Sequence, residues 1–168
     1  AATGREHVIV CGYHGWQDWY IGSTTMNRGV PDRTRSLTHV VPYNDLAALH
    51  AAIDDLPGQV AAVIMEPMTS AWPLEGYLAG VRRLTEDSGI VLVFDEMLTG
   101  FRFAPGGAQE YFGVIPDLAC FGKALANGFP LSAIAGRREI LDLMPTIFFS
   151  GTFGGETLSL TAARVVLD

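Results

Sequence analysis

The sequence predicts a three-layer α/β/α fold, a mostly parallel sheet held between helices. Two observations carry this. Short apolar runs without alternation recur along the chain, as strands covered on both faces require, and helical stretches separate them. Each conspicuous polar cluster, moreover, stands just past the C-terminal end of such a run: Tyr13-His14, Glu66, Asp95-Glu96 and Lys123. In open α/β sheets that edge is where ligands bind. A chain of 168 residues that is 49% hydrophobic suits one domain with a substantial core.

His7–Cys11 is a β-branched run closed by Gly12, and reads as the first strand. Residues Ile21–Tyr43 have no clean period and contain Gly22, Gly29, Pro31 and Pro42, which predicts a long irregular excursion. Asn44 or Asp45 can cap a helix reaching about Asp55, with Leu46, Leu49, Ile53 and Leu56 on one face. Val60–Met65 is a second strand and runs directly into Glu66-Pro67. A helix from Gly76 to about Ser88 follows, with Leu78, Val81 and Leu84 inward and Gly89 closing it. Ile90–Phe94, Asp117–Phe121 and Leu131–Ala135 are three more strands. Arg137–Met144 reads as a short helix, and Glu156–Asp168 begins a last one.

Several function classes drop out. A net charge of −7 with no basic stripe argues against a nucleic-acid partner. Val60–Met65 and Ile90–Phe94 are far shorter than the ~20 residues a bilayer span needs, and the first residues show no signal-peptide core. Cys11 and Cys120 sit in separate apolar runs, without metal-ligand spacing to any histidine. They read as free thiols, which suits a reducing, cytoplasmic setting. The chain opens on Ala1-Ala2-Thr3-Gly4 and stops inside a helical pattern, so it reads as an internal piece of a longer protein.

Lys123 is the only lysine in the sequence; all other basic side chains are arginine. It follows an apolar run and is surrounded by Gly122, Gly128 and Pro130, a setting that brings an amine close to a ligand. Lysine amines form Schiff bases with carbonyl compounds. An ordinary lysine in an arginine-favouring composition is the alternative. Asp95, at the mouth of Val-Leu-Val-Phe, is a partly desolvated carboxylate that needs a cationic partner, and a pyridinium fits. A helix cap or an ion pair with Arg102 fits it too. Tyr13 suits stacking on a ring with His14 near the rim, or plain core packing. Residues 150–157, Ser-Gly-Thr-Phe-Gly-Gly-Glu-Thr, precede a helix and can hold a phosphate or simply cap it. No Walker loop, Gly-x-Gly-x-x-Gly after a strand, or Gly-x-Ser-x-Gly is present.

Taken together, these residues resemble a family. Phe94-Asp95-Glu96-Met97-Leu98-Thr99-Gly100-Phe101-Arg102, followed 28 residues after its aspartate by Lys123 in Phe-Gly-Lys-Ala-Leu-Ala-Asn-Gly-Phe-Pro-Leu, is similar to the class III aminotransferases, pyridoxal-phosphate enzymes of fold type I. Tyr13-His14-Gly15, Met65-Glu66-Pro67 and Gly151-Thr152-Phe153-Gly154-Gly155 fall in the family's order, so the resemblance covers nearly the whole chain. It implies that Lys123 forms the Schiff base with the cofactor aldehyde and then moves the substrate α-proton. Asp95 pairs with the pyridine nitrogen and Tyr13 stacks on the ring, with His14 beside it. Thr152 reaches the cofactor phosphate of a partner subunit in a homodimer with shared active sites. Glu66 lies on the substrate side. No metal ligand set is implied.

The resemblance also has departures. Leu98 stands where many members carry glutamine, which resembles the glutamate-1-semialdehyde aminomutase-like branch, and Glu156-Thr157 replaces a frequent Asn-Pro. The family's upstream phosphate loop and C-terminal small domain lie outside the sequence, so residues 1–168 are expected to be the central part of the cofactor-binding large domain. The expected activity of the parent protein is amino-group transfer between an amine or amino acid and an oxo acid or aldehyde, or the intramolecular aminomutase version. Two readings from other classes stand beside it: a cofactor-fold protein kept for binding or assembly, and a Schiff-base lyase on another scaffold.

Overall fold

All five apolar runs become strands, and one further strand joins them. In the computed structural model, which describes residues 1–168, the strands are β1 (His7–Cys11), β2 (Thr38–Val40), β3 (Val60–Met65), β4 (Val91–Asp95), β5 (Leu118–Phe121) and β6 (Ala133–Gly136). They form one sheet in the order β2-β1-β3-β4-β5-β6. The first five are parallel, and β6 runs antiparallel to β5. The helices are α1 (Asp18–Ile21), α2 (Asp32–Arg35), α3 (Leu46–Asp54), α4 (Tyr77–Asp87), α5 (Gly107–Phe112), α6 (Arg138–Leu141) and α7 (Thr157–Leu167). The mostly parallel α/β arrangement read from the sequence is the one observed. No helix is long and apolar enough to cross a membrane.

The helix boundaries follow local chemistry. The Asp45 carboxylate accepts from the Ala48 amide at 2.8 Å and opens α3. Just past α4, Gly89 adopts φ +60°, the left-handed conformation that ends a helix without a Cβ penalty. On one face of the sheet, Ile9, Cys11, Val63, Met65, Leu92 and Phe94 meet Leu49 of α3 and Tyr77, Leu78 and Val81 of α4 in a closed core. Ala119 and Phe121 stand in register with that face and pack on Ala163 of α7. Leu46 departs from its expected inward position: it is 36% exposed and lies over Gly80 of α4.

Four local differences from the sequence reading have physical reasons. The irregular excursion contains β2, whose Thr-His-Val is too short and polar to show as an apolar run. The stretch read as Leu131–Ala135 pairs only from Ala133 and reverses direction, because a parallel return needs a crossover of a dozen or more residues. The helix α5 begins on Gly107 and spans only 6 residues, which hides its period. The helix expected over Arg137–Met144 is one turn, α6, followed by a separate 3₁₀ turn at Met144–Thr146.

Candidate active site

Because β1, β3, β4 and β5 are consecutive in the sheet, the polar residues beyond their ends stand in one row. Tyr13, Glu66, Asp95 and Lys123 all line a single cavity of about 600 Å³ at that edge. Register explains the cavity's walls. Asp95 pairs with Cys120, and Cys120 with Ile134, on the sheet face opposite to Phe94 and Ala119. Ile64, Cys120 and Ile134 accordingly line the cavity and not the core.

Asp95 is the last residue of β4, and its carboxylate is held from two sides. Oδ2 lies 2.9 Å from His14 Nδ1, and Oδ1 accepts from the Met97 amide at 3.1 Å. The ion pair considered with Arg102 does not form; Arg102 instead donates to the Leu98 carbonyl at 2.9 Å. His14 is buried, with its Nε2 3.2 Å from the Cys11 carbonyl. It lines the same cavity as Asp95 while bonding to it.

Lys123 opens a single 3₁₀ turn, Lys123–Leu125, directly after β5, and its side chain is exposed at the cavity. Its φ of +43° lies in the left-handed region. For a non-glycine residue that conformation costs ~1–2 kcal/mol, a cost met where surrounding structure holds the backbone in place. Gly122, just before it, packs against the end of the Met97 side chain, which lies where a Cβ would stand.

Tyr13 is 65% exposed, which excludes the core-packing alternative, and it meets Tyr20 edge-on with ring centroids 5.6 Å apart. Its amide donates to Glu66 Oε2 at 3.0 Å. Glu66 lies against Gly12, which has φ +110° and no room for a Cβ beside that carboxylate. Glu66 thus lines the cavity while fixing the backbone that presents Tyr13. Thr152 does not reach this cavity; it is exposed in the loop before α7. Glu156, in the same loop, caps α7 by accepting from the Leu158 and Ser159 amides, both at 2.8 Å, and those bonds with the Ser159 hydroxyl hold its carboxyl below the usual range.

Both thiols are pushed up to about 11, Cys11 mainly by burial and Cys120 by burial and then the Asp95 charge. They stay protonated at neutral pH and make poor nucleophiles. No cluster of three or more His, Cys, Asp or Glu side chains has metal-binding geometry. Glu96, grouped by sequence with the polar residues at this edge but given no role, does not line the cavity. It is fully buried, and its carboxylate accepts from Thr99 Oγ1 and the Ala108 amide at 2.7 Å, the Gln109 amide at 3.0 Å and Gln109 Nε2 at 3.2 Å. The signal was available: successive strand residues point to opposite faces, so an Asp-Glu pair at a strand end cannot serve one site together.

A sequence profile of the family described as "Aminotransferase class-III" matches residues 2–168. The chain belongs to this family. A glutamate-1-semialdehyde 2,1-aminomutase from Methanocaldococcus jannaschii is 41% identical over 98% of the chain and 43% of its own length. An omega-transaminase from Sphaerobacter thermophilus has the same fold with a TM-score of 0.87 and 28% identity, covering 99% of this chain and 44% of that one. A glutamate-1-semialdehyde aminomutase from Pseudomonas aeruginosa PAO1, in complex with PMP, superposes with a TM-score of 0.81 at 30% identity, over 99% and 42% of the two chains. This class-III chain thus spans less than half the length of these relatives.

Proposed function

We propose that residues 1–168 form the central part of the large domain of a pyridoxal-phosphate-dependent aminotransferase or aminomutase. The observation that carries this reading is the placement of Asp95 and Lys123. They stand past the ends of the neighbouring parallel strands β4 and β5 and open into one cavity. The donor set suits the cofactor. One carboxylate is already oriented by two hydrogen bonds, one primary amine is exposed, and one tyrosine ring is free at the mouth.

When bound, pyridoxal phosphate supplies an aldehyde for a Schiff base and a ring that accepts the electrons of a carbanion. The protein's part is binding, orientation and proton movement. Asp95 would hold the ring nitrogen and keep a positive charge there favourable. Tyr13, exposed at the mouth, would pack on the ring. Lys123 would supply the amine for the Schiff base and, when free, the base for the substrate's α-proton. Its left-handed turn stands at the cavity, which Met97, packed against Gly122, also lines. Glu66 holds the Tyr13 backbone and bounds the substrate side of the cavity. Thr152 would serve the cofactor phosphate of a second copy in a homodimer, in keeping with its exposure and its absence from the lining of this chain's own cavity. The amino donor and the oxo acceptor are small molecules.

The aminomutase version is supported by the relatives of that name, five of which are 39–41% identical to this chain. The test uses the full-length protein loaded with pyridoxal phosphate and reduced with borohydride. Peptide mapping is expected to find the cofactor on Lys123. Lys123→Ala should lose that label and lower amino transfer at least ~10²–10⁴-fold. Retention of both label and activity by Lys123→Ala would refute the assignment. Assaying glutamate-1-semialdehyde against a panel of amines with oxo acids separates the two reactions.

A further inference from the structure

The hydrogen bonds of His14 require one proton more than a neutral imidazole carries. Its side chain is 1% exposed, and each ring nitrogen faces an acceptor: Nδ1 stands 2.9 Å from Asp95 Oδ2, and Nε2 stands 3.2 Å from the Cys11 carbonyl. A carbonyl oxygen only accepts, so Nε2 bears a proton. A neutral ring would then aim the bare lone pair of Nδ1 at a carboxylate oxygen, two acceptors with nothing between them. A second proton belongs in that contact. The Met97 amide donates to Oδ1, so with a donor at Nδ1 both Asp95 oxygens act as acceptors, the hydrogen-bonding pattern of a carboxylate that carries no proton. The proton therefore sits on Nδ1. The Trp19 ring lies nearly parallel to His14 at 6.4 Å between centroids, and Tyr20 meets it edge-on at 5.4 Å, so the ring is enclosed on the sides away from Asp95.

We propose that His14 is a buried imidazolium, and that its charge sets how firmly Asp95 retains a proton on the nitrogen of the cofactor ring. The second half rests on the cofactor reading above; the first does not. His14 is a positioning residue, since it acts through Asp95. With His14 charged, one carboxylate faces two cations whenever the ring nitrogen is protonated, so the ring proton is released more readily than from an aspartate without a cationic neighbour. The other ionisable groups around the cavity are Glu66 from the end of β3, Cys120 from β5, Lys123, and the phenols of Tyr13 and Tyr20. Burial holds the Cys120 thiol neutral, and burial followed by Tyr13 and Glu66 pushes the Tyr20 phenol up. Glu66 and Lys123 carry opposite charges, so His14 supplies the cation bound directly to Asp95.

Neutron diffraction on the full-length holoenzyme at neutral pH tests the first half. Deuterium on both His14 nitrogens and none on Asp95 is expected; deuterium on Asp95 Oδ2 opposite a bare Nδ1 overturns the proposal. For the second half, full-length protein is loaded with pyridoxal phosphate labelled with ¹⁵N in the ring and titrated by NMR. His14→Gln keeps a neutral donor toward Asp95, and His14→Phe keeps none. Both are expected to raise the pH at which the ring nitrogen loses its proton by about 1 unit or more. If His14→Gln behaves as wild type and only His14→Phe shifts, His14 is a spacer and the charge role fails. If the wild-type protein takes up no label, the cofactor reading falls with the second half, and the neutron result alone decides the first.

Discussion

Within β4, Leu92 and Phe94 are shut off from solvent, whereas Val91, Val93 and Asp95 between them are only half-buried. The two faces of one sheet are finished differently. One is covered by two apolar clusters, a larger one under α3 and α4 and a smaller one under α7. The other carries, toward the strands' C-terminal edge, the cavity that Asp95, Cys120 and Ile134 line. The first face holds the sheet together, and the second uses the resulting rigid edge to aim side chains at a ligand. A carboxylate meets opposite fates on the two sides. Asp95 keeps a face toward the cavity, while Glu96, one residue on, is enclosed and spends its hydrogen bonds on Thr99 and the start of α5.

Substitutions on the two faces should separate accordingly, with stability read by denaturant or thermal unfolding. Phe94→Ala is expected to destabilise by ~3–5 kcal/mol, because it removes a fully buried ring from a core that cannot collapse around the gap. Val93→Ala, one residue earlier and on the cavity face, is expected to cost about 1 kcal/mol or less. Equal costs for the two would break the comparison. Glu96→Ala comes next, at ~2–4 kcal/mol, since it strands the Ala108 and Gln109 amides and the Thr99 hydroxyl without an acceptor. A Glu96→Ala protein as stable as wild type would show that water reaches that side.

Asp117 sharpens the comparison at the closed end of the sheet. Its carboxylate accepts from the Leu92 amide at 2.8 Å, Arg82 at 3.0 Å and Arg137 at 3.2 Å, tying β4, α4 and the end of β6 to the start of β5. Burial alone would raise its pKa, but the hydrogen bonds from Leu92, Arg82 and Arg137 outweigh it and hold the carboxyl below the usual range. The sign follows. A depressed folded-state value gives stability that is fully present above the ordinary carboxylate value of ~3.9 and lost as pH falls through the folded one. Asp117→Asn should therefore lower stability at neutral pH by ~1–3 kcal/mol and flatten the acid limb of the stability curve. An acid limb unchanged in Asp117→Asn would remove Asp117 from the account.

The C-terminal ends of the strands were legible because apolar runs end where polar residues begin, and a parallel sheet then collects those ends on one edge. Lys123 was legible by its singularity, and Asp95 by its position at the mouth of an apolar run. Their partners were not. Nothing local in Tyr13-His14-Gly15 says that His14 turns inward across β3 to meet Asp95, a residue 81 positions away. Nothing local in Asp95-Glu96 announces the α5 amides that Glu96 holds. β2 was hidden because three residues cannot establish a period, and the direction of β6 because it depends on the length of its connection.

The sequence by itself determined the α/β class, the order of the five apolar strands, and the polar residues that stand just past their ends. Those follow from periodicity and from where apolar runs stop, which are properties of neighbouring residues. Only the tertiary structure decided where the apolar core closes, that His14 meets Asp95, and that Lys123 takes a left-handed turn at the cavity. Each of these is a contact between residues distant in the chain, and such contacts exist only once the strands have paired.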